Sequence, residues 1–289
     1  MHSVNWLRIA RDALVVVGAV FALYYWFYLL KNGSPTDVAW YWSADPLNLY
    51  PHPELAERNG YNYSPAFEYA VGWGRFLPFD VFAAVWRLVL IGALVYMAGP
   101  FTLFAALTVP VGSEINAGNI QLLLALAIVL GFRWSATWAF VLLTKVSPGV
   151  GLLWFAMRRE WRMLGVALGV TAAIALFSFL QGPGRWQGWI ALITDGQMPS
   201  VKPFYLPLTV RLPFALAFVV AAGLSGKRWP VVVGATLALP VFYPISASML
   251  VGVLPFAREA LGRQLNLHGW TLERGRSARL RPDEAAAPA

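Results

Sequence analysis

The chain has 289 residues, of which 58% are hydrophobic and only 12% charged, with a formal net charge of +8. Ordinary soluble domains carry about 25% charged residues, so a soluble globular fold is excluded. No cysteine is present, which excludes disulfides and thiol chemistry, and His2, His52 and His268 share no metal-ligand spacing, so no metal is expected.

Uncharged runs at Ala13–Leu30, Leu88–Gly112, Met163–Gly184 and Trp229–Ala257 are long enough for membrane helices, which need about 18 or more apolar residues. The expected class is therefore an all-α polytopic membrane protein. The basic residues gather at Arg8 and Arg11, at Arg158, Arg159 and Arg162, at Lys227 and Arg228, and in the C-terminal tail. Loops rich in Lys and Arg stay cytoplasmic. The positive charge thus reads as topology and contact with membrane lipids, not as nucleic-acid binding.

In chain order, residues 1–12 are short and basic, and Ala13–Leu30 is an uncleaved first helix with its N-terminus inside. Residues 32–64 form an outer loop dense in Trp and Tyr, rings that favour the membrane interface. Ser64-Pro65 opens a short helix, and Val81–Ala98 spans again. A shorter apolar piece, Phe101–Val111, leads into a polar break, Gly112–Asn119, and then Ile120–Phe132. Trp134–Met157 follows, interrupted by Lys145 and Pro148. Met163–Leu180 leads to a second outer loop, 181–203, and Phe204–Leu224 returns. Trp229–Phe256 reads as two short helices meeting near Phe242-Tyr243-Pro244. The expectation is about eight to ten membrane segments in a single domain, 1–257. Residues 258–289 read as a basic cytoplasmic tail, partly disordered.

Asp37, just beyond the first helix, is the leading candidate base, because a lone charge at the edge of an apolar bundle is costly to keep. Its competing role is a helix cap, since Thr36-Asp37 follows a Pro. Asp45 and Glu54 are fallback bases in the same loop or solvated loop charges, Glu68 could face a cavity or the interface, and His52 could assist proton transfer or simply be a solvated loop residue. Counted along an unbroken helix at roughly 1.5 Å per residue, Lys145 lies about 20 Å from Arg158, towards the outer side. It is a candidate to hold a phosphate or to pair with Glu114. Arg185, Lys202 and Arg211 are either headgroup-level anchors or alternative phosphate partners. Glu114, Asn116 and Asn119 are either helix-break caps or substrate contacts, and Trp40 and Trp42 are possible stacking platforms.

The order of motifs resembles a known family. Asp37 and Tyr41 form an Asp-x-x-x-Tyr pattern, followed by Leu49-Tyr50, Tyr61-Asn62-Tyr63-Ser64-Pro65, Phe76-Leu77-Pro78 and Trp86. Then come Gly118-Asn119-Ile120-Gln121, Leu142-Leu143-Thr144-Lys145-Val146-Ser147-Pro148, the basic run at 158–162, and Tyr243-Pro244-Ile245-Ser246. This resembles the GT-C superfamily of polyprenyl-phosphate-sugar-dependent glycosyltransferases, in particular glycosyltransferase family 87. Two departures stand out: the usual Gly-Gln pair reads Gly118-Asn119, and the late Ser-Pro-x-Ser-Trp-x-His pattern lacks its aromatic and His. The resemblance implies a GT-C-like bundle in a bacterial-type plasma membrane, with its site towards the outer face. It implies inverting transfer of a sugar, mannose above all, from a polyprenyl phosphate to a glycolipid or glycan hydroxyl, with no cofactor. Asp37 would be the base, and Lys145, Tyr41, Tyr63, Glu114, Asn119 and Arg185 the donor-phosphate or substrate contacts. The alternatives are a lipid-linked sugar flippase or transporter, which would show inverted repeats, and a scaffolding family member.

Overall fold

A computed structural model describes residues 6–51, 60–194 and 206–267. The described residues up to Phe256 form one helical body, and a second unit begins at Ala257. His52, Glu54, Lys202 and the arginines of the tail beyond Leu267 lie outside the described residues.

Among the described residues, four helical stretches are long and apolar enough to cross a membrane. They are α1 (Trp6–Asn32, apolar over Trp6–Leu29), Phe79–Ala106, α10 (Trp161–Gln181) and α12 (Leu208–Ser225). The second contains α4 (Phe79–Ala98), a 3-10 turn at Gly99–Phe101 and α5 (Thr102–Ala106). α10 is apolar all round yet buries only two of its residues, Ala167 and Ser178, and exposes Leu176, Phe177 and Leu180. A helix of that kind is stable only with lipid around it.

Between these spans lie α2 (Thr36–Trp42), α3 (Pro65–Val71), α6 (Val109–Ala117), α7 (Gln121–Gly131), α8 (Trp138–Thr144), α9 (Leu153–Met157), α11 (Pro183–Thr194) and α13 (Trp229–Leu237). A 3-10 helix at Pro244–Val253 leads into α14 (Leu254–Leu267). The two short helices expected after Trp229 therefore form, on either side of 238–243. α6 and α7 meet at 106°, as a broken span or re-entrant loop.

Two sequence expectations change. The polar break expected over 112–119 is mostly helix: Pro110 sits in the first turn of α6, and helix continues to Ala117. The break is confined to Gly118–Ile120, where Gly118 adopts φ +71, the left-handed conformation that ends helices. The interruption expected at Lys145 and Pro148 is present, and it undoes the depth counted for Lys145 along a helix. The backbone turns extended there, at φ −142 and ψ 105, and restarts as a 3-10 helix, Ser147–Leu152. Pro148 lacks an N–H to continue α8, and 3-10 geometry rises about 2.0 Å per residue, so the depth count does not hold.

The core is aromatic around Tyr41, Tyr63, Phe67 and Trp86, and aliphatic between α4 and α7. Two buried arginines hold it at helix ends. Arg87, 2% exposed, donates to the carbonyls of Leu29, Ile115 and Asn116 at 3.0, 3.3 and 3.0 Å. Arg211 donates to the carbonyls of Leu206, Leu237, Leu239 and Pro240. Carbonyls at helix C-termini are the natural partners of a buried cation. With its nitrogens so engaged, Arg211 serves as an internal clamp.

Candidate active site

α2 follows α1 after a short connection through Gly33–Pro35. Pro35 is its N-cap residue and no side chain caps its first turn. Asp37 lies in that turn, where the helix dipole favours an anion. Its carboxylate does not cap the helix. It lies within hydrogen-bonding reach of the Asn119 side chain and within electrostatic reach of Lys145. Burial lifts the Asp37 carboxyl above its ordinary range, and the Lys145 charge and the Asn119 hydrogen bond pull it part of the way back.

One turn along α2, Tyr41 is buried, its hydroxyl 3.0 Å from that of Tyr63. Its ring packs against those of Tyr63, Phe67 and Trp86 at centroid separations of 5.5, 5.6 and 5.3 Å. Burial raises both phenols, and the charge of Asp37 raises them further. Both hydroxyls therefore stay protonated, and one donates to the other. Ser64 next to Tyr63 donates through Oγ to the Leu143 carbonyl, which ties this loop to the end of α8 just before Lys145.

Glu114 is fully buried on α6. Its Oε1 accepts the Leu122 N–H at 3.1 Å, at the start of α7, and Oε2 has no hydrogen-bond partner among the described residues. Lys145 is half-buried and feels both Glu114 and Asp37. Among the described residues no carboxylate stands within salt-bridge distance of it.

Six of the seven residues to which the family resemblance gives a role gather in one place: Asp37, Tyr41, Tyr63, Glu114, Asn119 and Lys145. Arg185 does not join them. It lies on α11, where its charge reaches the Tyr50 hydroxyl, and that hydroxyl donates to the Tyr63 carbonyl. Other candidates have local partners. Glu68 is paired with Arg75 at 2.7 Å, and Asp45 accepts the Leu47 N–H at 2.9 Å in its own loop. The Trp42 indole donates to the Leu77 carbonyl at 2.9 Å, and Trp40 is exposed. Among the described residues no group of three or more His, Cys, Asp or Glu is gathered.

Arg87 is the residue that sequence reasoning missed. It stands one position before the uncharged run Leu88–Gly112, inside the span Phe79–Ala106. A charge within a membrane helix is itself a signal.

A family model for glycosyltransferase family 87 matches residues 63–262, more than half of the chain. The chain belongs to glycosyltransferase family 87. It is a membrane glycosyltransferase, and so acts on a sugar donor and an acceptor in contact with lipid. No curated protein and no solved structure matches it. The family 87 match takes in Tyr63, Glu114, Asn119, Lys145 and Arg185; Asp37 and Tyr41 precede it.

Proposed function

We propose that the protein moves mannose from a polyprenyl-phosphate donor to a hydroxyl of a glycolipid or glycan acceptor, with inversion, at the outer face of the plasma membrane. In this reading Asp37 takes the proton from the acceptor hydroxyl as that oxygen attacks the anomeric carbon. The bond from that carbon to the phosphate oxygen breaks, and the polyprenyl phosphate leaves with the electron pair. A hydroxyl is a poor nucleophile near neutral pH, so a carboxylate raised by burial suits the task. The phosphate leaves as a stable anion and needs a cation more than an acid. Lys145 is the cation assigned to it, and the Tyr41–Tyr63 hydroxyl pair supplies donors beside it.

The observation that carries this reading is that the Asp37 carboxylate, free of any capping duty, shares its surroundings with Lys145 in a family 87 chain. The test is reconstitution with polyprenyl-phosphate mannose and a glycolipid acceptor, comparing wild type with Asp37→Asn. Transfer by wild type and its loss in the folded variant are expected. A variant that transfers at the wild-type rate would remove Asp37 as the base.

A further inference from the structure

The turn between α6 and α7 is tied to α2 and the segment before it at several points. Arg87 bridges the end of α1, at the Leu29 carbonyl, to the end of α6, at the Ile115 and Asn116 carbonyls. The Ser34 N–H donates to Asn116 Oδ1 at 3.1 Å. Trp86 Nε1–H donates to the Gly118 carbonyl at 2.7 Å. A Cβ on Gly118 would stand 2.9 Å from Cβ of Val38, the residue beside Asp37. Asn119 comes next, and its Oδ1 accepts the Ile120 N–H at 2.7 Å. With its carbonyl end engaged, the amide has its NH2 end left for the Asp37 carboxylate, which lies within its reach.

We infer that Asn119 is a positioning residue for Asp37: its amide NH2 holds one carboxylate oxygen and leaves the other free for the acceptor hydroxyl. This replaces the reading of Asn119 as a substrate contact, and its catalytic part rests on Asp37 being the base. Trp86, Arg87 and Gly118 hold the amide in place, so the broken helix pair serves as the mount of the carboxylate. A hydrogen bond donated to the ionised form favours that form. The other groups facing Asp37 are Lys145, Glu114, Tyr41 and Tyr63. Of the remaining charges on neighbouring elements, Arg87 is engaged by carbonyls, and Glu68 and Arg75 pair with each other.

The experiment follows the Asp37 carboxyl carbon by NMR in micelles, in protein labelled with 13C-aspartate, the resonance being assigned by its loss in Asp37→Asn. Asn119→Ala is expected to titrate Asp37 at higher pH than wild type. Asn119→Asp, which adds a like charge at nearly the same size, moves the midpoint higher still. With polyprenyl-phosphate mannose, Asn119→Ala lowers kcat about tenfold, the size of one charge-assisted hydrogen bond, while KM for the donor holds. An unchanged midpoint in both folded variants overturns the inference, and so does a raised KM with kcat kept. If Asp37→Asn transfers sugar at the wild-type rate, the base reading fails on its own, and the titration still decides whether Asn119 holds the carboxylate.

Discussion

Arg87→Met isolates what the buried guanidinium contributes. Methionine keeps an apolar stem of similar length in α4, so the change falls on the charged head. Three backbone carbonyls lose their donor, those of Leu29, Ile115 and Asn116, and all three are at or near helix C-terminal ends. At about 1–1.5 kcal/mol per bond, the loss is about 3–4.5 kcal/mol. Recovery of the cation's own burial cost offsets part of it, so a net loss of about 3 kcal/mol is expected, against a total stability of about 5–15 kcal/mol for a typical protein. The assay is unfolding by SDS titration in mixed micelles, with helicity as the readout. The same variant should lose transfer activity under conditions where it is still folded, because the turn carrying Asn119 is released from the end of α1. A stability loss below about 1 kcal/mol would show that water replaces the guanidinium and that Arg87 does not hold the turn.

Three further outcomes are expected. Burial raises the Asp37 carboxyl in the fold, so the ionised form costs stability, and that cost grows as pH rises from the unfolded carboxyl's value of about 3.9 through the folded value. Asp37→Asn should therefore unfold at a higher temperature than wild type at pH 7–8 while losing transfer. A lower unfolding temperature would mean that Lys145 and Asn119 outweigh burial. Lys145→Met should lower kcat/KM for a polyprenyl-phosphate donor by about 10- to 100-fold, the scale of one charge-assisted contact. Lys145→Arg should recover part of it, and equal kinetics for all three proteins would dismiss Lys145 as the phosphate partner. Gly118→Ala should destabilise by about 1–2 kcal/mol, measured by the same SDS titration, because φ +71 disfavours any side chain and the new methyl meets Val38. Stability equal to wild type would show that the turn can shift.

Composition and uncharged runs alone determined the membrane class, since long apolar segments have no stable place in water. The order of Asp37, Tyr63-Ser64-Pro65, Gly118-Asn119 and Lys145 was enough to point to the family. Helix punctuation was only partly legible. Pro148 announced the break at Lys145, but Pro110 and Gly118 had to be read together to see that 112–117 is helix and only 118–120 is turn. The choice between Asp37 as cap and Asp37 as site residue was not legible, because both readings use the same residue after the same Pro. Tertiary structure removed the cap reading, since no side chain caps α2: the α6–α7 bend brings Asn119 to Asp37 from far along the chain, and the extended backbone at Lys145 brings an ammonium within electrostatic reach of both carboxylates. Arg87 has the same origin. Its partners are carbonyls left over at helix ends, and such ends come together only when helices distant in sequence pack.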